Sequence, residues 1–350
     1  MARLSSIPRR VLNRLRYYEK TLVERFRLWQ ASRVLSGRPL VTLGDDQCCA
    51  VVLLKNGTYF LPELLRHHRA IGVAHFVVID TGSTDGSQAL LAGEADVTVI
   101  DSRLPVARYE VLMRALLPRR HVRGGWLLIV DTDEMFDPPP GCGGRIGPLL
   151  RYLGAQGHTA LLAHCLDMFS DAPVSVSKGW SYAEALQRLT QYSLGALEPV
   201  AYHTPEFELH HFVKDNPTDG PQHFWRGGMR REVFGETPLL TRHNIIRNAP
   251  DIDVPRHVHG ISGVSVSDVT ASFRHYKFTG DYVARDRNQV AARVWNHGED
   301  ARRLKMYDEA GDFVIRSATQ QTYRGVEALL DEGFIKTSER FQAFVKADRA

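Results

Sequence analysis

The chain has 350 residues, of which 43% are hydrophobic, which predicts one large globular domain or two moderate ones rather than a disordered protein. No apolar run approaches the roughly 18 residues that cross a membrane, and the N-terminus lacks a signal-peptide hydrophobic region. We therefore expect a cytoplasmic protein or one that is peripheral at the membrane. Buried thiols are expected as well, because the cysteines lack both CxxC spacing and the density of a secreted scaffold. The cysteines are Cys48, Cys49, Cys142 and Cys165.

The formal net charge of +4 hides an uneven distribution. Residues 1–38 contain ten Lys or Arg against two Glu, whereas residues 39–350 contain 34 basic and 38 acidic residues. The basic character therefore belongs to one N-terminal segment. Nucleic-acid binding is not expected, since the rest of the chain is net negative and no recognised reader motif occurs.

Residues 8–35 predict a basic amphipathic helix, because apolar side chains recur every three or four residues with Arg and Lys between them. Three roles remain open for it: packing on its own domain, docking to an anionic membrane surface, or binding a partner helix. The apolar positions are Val11, Leu15, Tyr18, Leu22, Phe26 and Trp29.

From residue 48 onward, short apolar runs alternate with helical patterns. The runs "CCAVVLLKNG", "VAHFVVID", "DVTVID" and "GGWLLIVD" predict buried strands. Helices are predicted in "TYFLPELLRHHRAIG", with Thr58 as N-cap and Gly72 at its end, after "STDGS", and in "VARYEVLMRALLP". This alternation predicts an α/β fold with a mostly parallel sheet flanked by helices.

The chain after Pro138 is less regular. We expect a helix in "RIGPLLRYLGAQG", a strand in "HTALLAHCLDMF", a loop-rich region over 170–260 and further helices over 280–310. The predicted organisation is a helix and linker over 1–40, a first half of the domain over 41–140, and a second half with C-terminal helices over 141–350.

The stretch "HFVVIDTGSTDGS" contains the Asp-Thr-Gly of aspartic proteases. Those enzymes are all-β and bring two such loops together so that two carboxylates share a proton. This chain has one such loop, between a predicted strand and a predicted helix. The protease interpretation is therefore rejected in favour of a ligand site at the carboxyl ends of the strands.

Carboxylates follow two of the predicted strands. Asp80 ends the second strand, and Asp131 and Asp133 follow the fourth in "WLLIVDTDEMF". Carboxyl ends of parallel strands share one edge of a sheet, so these side chains should lie near one another. Hard oxygen ligands at such a place suit Mg²⁺ or Mn²⁺, which commonly also bind a substrate diphosphate.

The same residues resemble a known family. "VVLLKNGTYFLPELLRHHRAIGVAHFVVIDTGSTDGS" followed by "WLLIVDTDEMF" is similar to the family 2 type glycosyltransferases of GT-A fold, in the subgroup with Lys-Asn-Glu, Asp-x-x-Ser-Thr-Asp-Gly and Asp-x-Asp-Glu motifs. The similarity is clear over residues 48–137. It continues weakly through "WRGGMRREVFG" and "RHYKF".

The resemblance implies a nucleotide-sugar donor, with a UDP-sugar expected first, and a glycan or lipid-linked acceptor in polysaccharide biosynthesis. It implies that Asp80, Lys55 and Asn56 lie near the nucleotide. Asp131 and Asp133 would hold the metal and the donor diphosphate, and His275 would be a further metal or diphosphate contact. By the same resemblance, residues 41–140 would form the nucleotide-sugar-binding half and residues 141–350 the acceptor-binding half. The chain departs from the family pattern at Gly57, where Glu is usual.

Other functional residues are less sharply indicated. A base is needed if the reaction inverts the anomeric centre, and Asp171 is the candidate, with Glu206, Glu208 and Glu236 as competitors. Arg226 and Arg230, together with Arg231, flank Gly227-Gly228. They suit either phosphate contacts or the solvated surface of a hairpin.

The sequence thus predicts a metal-dependent glycosyltransferase that moves a sugar from a nucleotide diphosphate to a glycan, lipid or protein. Two alternatives remain. One is an inactive protein of the same fold that works as a peripheral scaffold through its basic helix. The other is a haloacid-dehalogenase-like phosphatase with Asp131 as nucleophile, although its motif belongs on the first strand and Met135 stands where that family has Thr or Val.

Overall fold

The computed structural model describes residues 22–252, 257–291 and 298–349. The strands are β1 (Ser32–Ser36), β2 (Val41–Thr42), β3 (Cys48–Leu54), β4 (His75–Asp80), β5 (Val97–Ser102), β6 (Val122–Arg123), β7 (Trp126–Val130), β8 (Glu134–Asp137), β9 (Ala160–Asp167), β10 (Gln191–Ser193), β11 (Leu197–Ala201), β12 (His223–Gly227), β13 (Thr241–Arg247), β14 (Val266–His275) and β15 (Gln320–Thr322).

Residues 22–30 form a helix, here α1. The later helices are α2 (Leu61–Ile71), α3 (Ser87–Ala92), α4 (Val106–His121), α5 (Gly147–Ala155), α6 (Tyr182–Arg188), α7 (His210–Val213), α8 (Met229–Phe234), α9 (Tyr282–Ala291), α10 (Glu299–Ala310), α11 (Val326–Asp331) and α12 (Glu339–Ala347). Among the described residues, no helix is both long enough and apolar enough to span a bilayer.

A nine-stranded sheet in the order β1-β5-β4-β3-β7-β13-β9-β14-β8 organises the molecule. Strands β5, β4, β3 and β7 are parallel neighbours. Strand β13 runs antiparallel between β7 and β9, while β14 is parallel to β9 and antiparallel to β8. The fold is therefore mixed α/β, with most strands of the large sheet pointing the same way.

Both faces of the sheet are buried, and β3 shows how. Its residues alternate between two hydrophobic clusters, with Ala50 and Val52 in one and Cys49 and Val51 in the other. Helices α2 and α5 contribute to the first cluster, and α1 and α4 to the second. This explains why the parallel strands are continuous apolar runs. All four cysteines are free and buried, as predicted.

The strands predicted between residues 48 and 130 are confirmed, and so are the helices between them. Helix α2 ends at Gly72, whose φ of 97° is left-handed, as expected for a C-cap glycine. The N-cap prediction was wrong: α2 starts after Phe60 without a side-chain cap. Thr58 instead donates its hydroxyl to the Asp85 carboxylate at 2.9 Å.

The predicted helix over 8–35 needs correction in its described part. Residues 22–30 are helical, but Ser32–Ser36 form strand β1, antiparallel to β5 at the edge of the sheet. Pairing with β5 satisfies backbone groups that a longer helix would leave beside an open sheet edge. The remainder of the prediction, residues 8–21, lies outside the described residues.

Candidate functional site

A cavity of about 650 Å³ lies at the carboxyl ends of β3, β4 and β7, within the size range of ligand sites. The loops after these strands form one side, and the residues after β14 together with α9 form the other. The polar residues that line it include Lys55, Asn56, Thr81, Arg114, Asp131, Asp133, Lys277 and Arg285. The sequence-predicted pairs Lys55 with Asn56 and Asp131 with Asp133 are thus brought together.

The loops after β3 and β4 are joined by hydrogen bonds. The backbone N–H of Asn56 donates to the Ser83 hydroxyl at 2.8 Å, and the N–H of Thr84 donates to the Asn56 side-chain oxygen at 2.8 Å. Asn56 is left-handed, with a φ of 56°, a conformation that Asn tolerates better than most residues. These bonds fix the shape of the cavity wall on this side.

Asp80 is fully buried and does not line the cavity. One carboxylate oxygen accepts hydrogen bonds from the backbone N–H groups of Gly82 and Ser83, at 3.0 and 2.8 Å, and from the Ser83 hydroxyl at 2.8 Å. The other accepts from Gln88. In this arrangement Asp80 shapes the loop after β4, so any influence on a nucleotide passes through that loop.

Gly57, where the resemblance led us to expect Glu, packs closely on Leu54. A Cβ on Gly57 would lie 2.1 Å from Cδ1 of Leu54, the flexible end of a side chain that belongs to the core. A larger residue at this position therefore requires the Leu54 side chain to move.

Asp131 lies between two arginines. One carboxylate oxygen pairs with Arg114 and the other with Arg242, at 3.1 Å from Nη1. Arg242 also pairs with the buried carboxylate of Glu134. Burial alone would raise the pKa of Asp131, but the two guanidinium groups hold it well below its usual range. Each oxygen of Asp131 thus accepts from one arginine, and its predicted role as a metal ligand stays a prediction.

Asp133 has a different environment, two residues further on. Its Oδ2 lies 3.6 Å from Nε2 of His275, while Nδ1 of His275 is 2.6 Å from the Asp167 carboxylate. Asp167 and His275 are partners at the ends of the adjacent strands β9 and β14. The predicted approach of His275 to the Asp-x-Asp motif is therefore present in the structure.

The charges of neighbouring side chains account for the protonation states of Asp133 and His275. Burial would raise the pKa of Asp133, but the charge of His275 and its hydrogen bond lower it to about 2. Burial would lower the pKa of His275, but the acidic groups around it, Cys165, Asp133 and Asp167, raise it well above the usual value. Without a metal, His275 is thus a cation between two carboxylates.

Two cationic side chains face the cavity from the side of β14 and α9. Lys277 follows β14, and Arg285 on α9 donates to the Lys277 carbonyl at 2.5 Å. The Arg285 guanidinium also lies 5.5 Å from the ring centroid of Phe60. Burial lowers the pKa of Lys277. Asp281 and Asp286 line the same wall, but they pair with Lys178 at 2.7 Å and Arg303 at 2.8 Å. Arg285, and Lys277 where it is protonated, can therefore meet an anion in the cavity.

The structure does not bring the predicted base to this cavity. Asp171 is exposed on the loop after β9, where it accepts a hydrogen bond from Gln320 at 2.9 Å. Among the described residues, neither Asp171 nor any of its competitors lines the cavity. Glu206 accepts from Thr204, Glu208 pairs with Arg226, and Glu236 pairs with the buried Arg303.

The three arginines around Gly227-Gly228 lie away from the cavity lining and form ion pairs. Arg226 lies on the ribbon of β11 and β12 and pairs with Glu208 at the surface. Arg230 is buried, with its Nε 2.8 Å from the Asp167 carboxylate, and Arg231 pairs with Glu198 at 2.9 Å. Their phosphate contacts stay a prediction.

Sequence reasoning missed Asp167 and Arg242. Asp167 carries the signal that identified Asp80 and Asp131, a carboxylate at the end of an apolar strand, in "HTALLAHCLDMF". Arg242 has no such signal, because it reaches Asp131 only through the pairing of β13 with β7.

Comparisons with known proteins give no family assignment. No protein-family model matches the chain, and no curated protein matches it. Among solved structures, an inositol-1-phosphate CTP transferase from T. maritima aligns at 10% identity over 75% of this chain and 97% of that chain, with a TM-score of 0.29. A mannosyltransferase from Pyrobaculum calidifontis, in complex with GDP-Man and Mn²⁺, aligns at 14% identity over 96% of this chain and 95% of that chain, with a TM-score of 0.30. Both are transferases, but the TM-scores are too low to assign a fold or a function from either.

Proposed function

We propose that the chain is a divalent-metal-dependent glycosyltransferase of GT-A fold that uses a nucleotide diphosphate sugar. The observation that carries this proposal is that His275 contacts both Asp133 and Asp167 beside the cavity, while Lys277 and Arg285 lie on the opposite wall. A carboxylate and an imidazole at one point, with two cationic side chains facing them, suit a metal-bound diphosphate.

The donor set fits a divalent cation. Asp133 Oδ2 and His275 Nε2 are 3.6 Å apart, close to the separation of two ligands on one metal ion whose bonds are about 2.1 Å long. The Asp167 carboxylate holds Nδ1 of His275, an arrangement that directs Nε2 toward a metal in many proteins. Asp133 and His275 would hold the cation, and Asp167 would orient the histidine.

When bound, the metal ion would neutralise charge that develops on the leaving diphosphate. The protein's own groups have separate tasks in this proposal. Arg285 and Lys277 bind the phosphates from the α9 side, and Lys55, Asn56 and Thr81 contact the nucleoside. Asp80 keeps the loop that carries Thr81 in shape. Asp131 holds Arg114 and Arg242 in place.

The environment of Asp131 weighs against the phosphatase alternative. A nucleophilic carboxylate needs a free oxygen that faces the phosphorus atom. Both oxygens of Asp131 instead accept from arginines. The same ion pairs suit a residue that positions cations around a bound anion.

The test is a calorimetric titration of nucleoside diphosphates with Mn²⁺ or Mg²⁺ present, followed by a screen of nucleotide-sugar turnover. Asp133→Asn removes one formal charge at nearly constant size, so we expect metal-dependent binding to be lost and turnover to fall at least about a hundredfold, on the order of 3 kcal/mol. Asp171→Asn is the matched control, because it makes the same change away from the cavity.

Two results would refute the proposal. One is an Asp133→Asn variant that turns over at the rate of the unmodified chain. The other is that the unmodified chain binds no nucleoside diphosphate with either metal. A loss of equal size in Asp171→Asn would return that residue to the site.

A further inference from the structure

The outer face of α1 carries large apolar side chains in contact with solvent. Leu22, Val23, Phe26 and Trp29, hereafter the docking face, are 64%, 44%, 56% and 56% exposed. The rings of Phe26 and Trp29 stack with centroids 6.0 Å apart. Folded proteins rarely leave such a group of neighbouring large apolar residues exposed unless it binds something.

The helix itself is anchored, so the exposed side chains are held outward. Leu28, on the other side of α1, is 1% exposed and packs in the core cluster that contains Tyr109 and Met113 of α4. Glu24 accepts from Arg108 of α4 at 2.8 Å. One side of α1 therefore belongs to the domain, and the docking face points away from it.

Arginines surround the docking face. Arg25 and Arg27 are exposed on α1 itself, and Arg120 at the end of α4 lies over the Trp29 ring at 5.4 Å. Two acidic side chains of this region already form ion pairs. Glu24 pairs with Arg108, and Asp101 pairs with Arg33 and Arg103. Whatever covers the docking face must therefore be both apolar and anionic.

An anionic lipid surface has these two properties. Phe and Trp enter the boundary between headgroups and acyl chains, while Arg remains with the phosphates. A second copy of this face would place arginines against arginines, since a two-fold contact pairs a surface with itself. A nucleic acid would satisfy the arginines and leave Phe26 and Trp29 in water.

We propose that α1 docks the protein on anionic membranes by inserting the docking face into the headgroup region. The cavity lies nearby, because Val106 at the start of α4 lines it and Arg108, two residues on, pairs with α1. If the proposed function holds, the donor would be bound beside the bilayer. Docking itself depends on no residue of the metal site.

The test is flotation of the full chain with vesicles of neutral phosphatidylcholine and with vesicles that contain one quarter phosphatidylglycerol. We expect binding to the anionic vesicles only, weakening with salt, and a blue shift of tryptophan fluorescence. Phe26→Ser with Trp29→Ser should lower the partition coefficient at least tenfold. Arg25→Gln and Arg27→Gln should each lower it about fivefold.

Val176→Ser is the matched control, because Val176 is an exposed apolar residue away from α1. It should bind vesicles like the unmodified chain. Asp133→Asn should also bind normally, which separates failure of docking from failure of the proposed catalysis.

Three results would overturn the proposal. One is equal binding by the Phe26→Ser, Trp29→Ser variant and the unmodified chain, or no binding by either. Another is a large drop in the unfolding temperature of that variant, which would show that the docking face packs within the protein. The third is an oligomer in solution that this variant dissociates, which would identify the face as a protein interface.

Discussion

Residues from the two halves of the sheet close on one cavity, and they are held there in different ways. The loops after β3 and β4 are joined by hydrogen bonds, either between uncharged groups, as between Asn56 and Thr84, or to a carboxylate, as from Thr58 to Asp85. On the side of β13, β9 and β14, the contacts are buried ion pairs, as between Arg242 and Asp131 or between His275 and Asp167. One side is held by hydrogen bonds and the other by ion pairs.

This difference has consequences for both stability and binding. An uncharged hydrogen bond contributes about 1 kcal/mol net, because water replaces it in the unfolded chain. Removal of one member of a buried ion pair costs about 3 to 5 kcal/mol, because the remaining charge stays buried without a partner. Substitutions on the ionic side should therefore be more damaging, and they should affect anions and metals rather than the nucleoside.

The largest effect is expected from Arg242→Met. Arg242 is buried, and its removal leaves the carboxylates of Asp131 and Glu134 without their shared cation. We expect the free energy of unfolding to fall by about 3 to 5 kcal/mol in a urea titration. Asp131→Asn in the same background should restore part of that loss.

Arg287→Met is the control for this substitution. Arg287 pairs with Asp308, and both side chains are more than half exposed, so the expected change is below about 1 kcal/mol. Similar losses in the two variants would mean that the ionic side of the site is not special.

The same contrast explains what the sequence could predict. Between residues 48 and 130, apolar strands alternate with helices, and this pattern was enough to find the strands and to place Asp80 and Asp131 at one edge of a parallel sheet, although β7 pairs with the distant β3. The second half is built from distant pairings. Asp131 meets Arg242 across 111 residues and Asp167 meets His275 across 108, and no local pattern specifies such contacts.

The expectation for His275 came from a motif resemblance and not from local structure. Its partner Asp167 follows the same pattern as Asp80 and Asp131, a carboxylate at the end of an apolar strand, and was overlooked. The ion pairs of Arg226 with Glu208 and of Arg230 with Asp167 were not predicted, because a sequence does not show which carboxylates a guanidinium will meet.

An intermediate effect is expected from Asp167→Asn. The variant keeps the shape of the side chain but weakens its hold on Nδ1 of His275, so Mn²⁺ affinity should fall about 10- to 100-fold in calorimetry. The pH dependence should change as well. In the unmodified chain the pKa of His275 is raised, so metal binding must displace a proton, and affinity should increase with pH up to that raised pKa.

Loss of the Asp167 charge should lower the pKa of His275, so the rise in affinity should occur at lower pH in the variant. Asp96→Asn is the matched control: Asp96 pairs with Arg69 at 2.5 Å and lies just before β5, at the edge of the sheet opposite the cavity. It should alter neither Mn²⁺ affinity nor its pH dependence. An unchanged pH profile in Asp167→Asn would show that Asp167 does not tune His275.

The smallest effect is expected from Asn56→Gly, in the hydrogen-bonded loops after β3 and β4. Glycine accepts the left-handed φ of 56° without strain, so the substitution removes chiefly the hydrogen bond from the Thr84 N–H. Stability and affinity for a nucleoside monophosphate without metal should each fall by about 1 kcal/mol, roughly fivefold in binding, while Mn²⁺ affinity stays unchanged. Asn56→Ala should lose about 1 kcal/mol more stability, because alanine is strained at this φ. If Asn56→Gly instead reduced Mn²⁺ affinity as much as Asp167→Asn does, the two sides of the cavity would form one coupled network. The proposed separation between a hydrogen-bonded side and an ion-paired side would then be refuted.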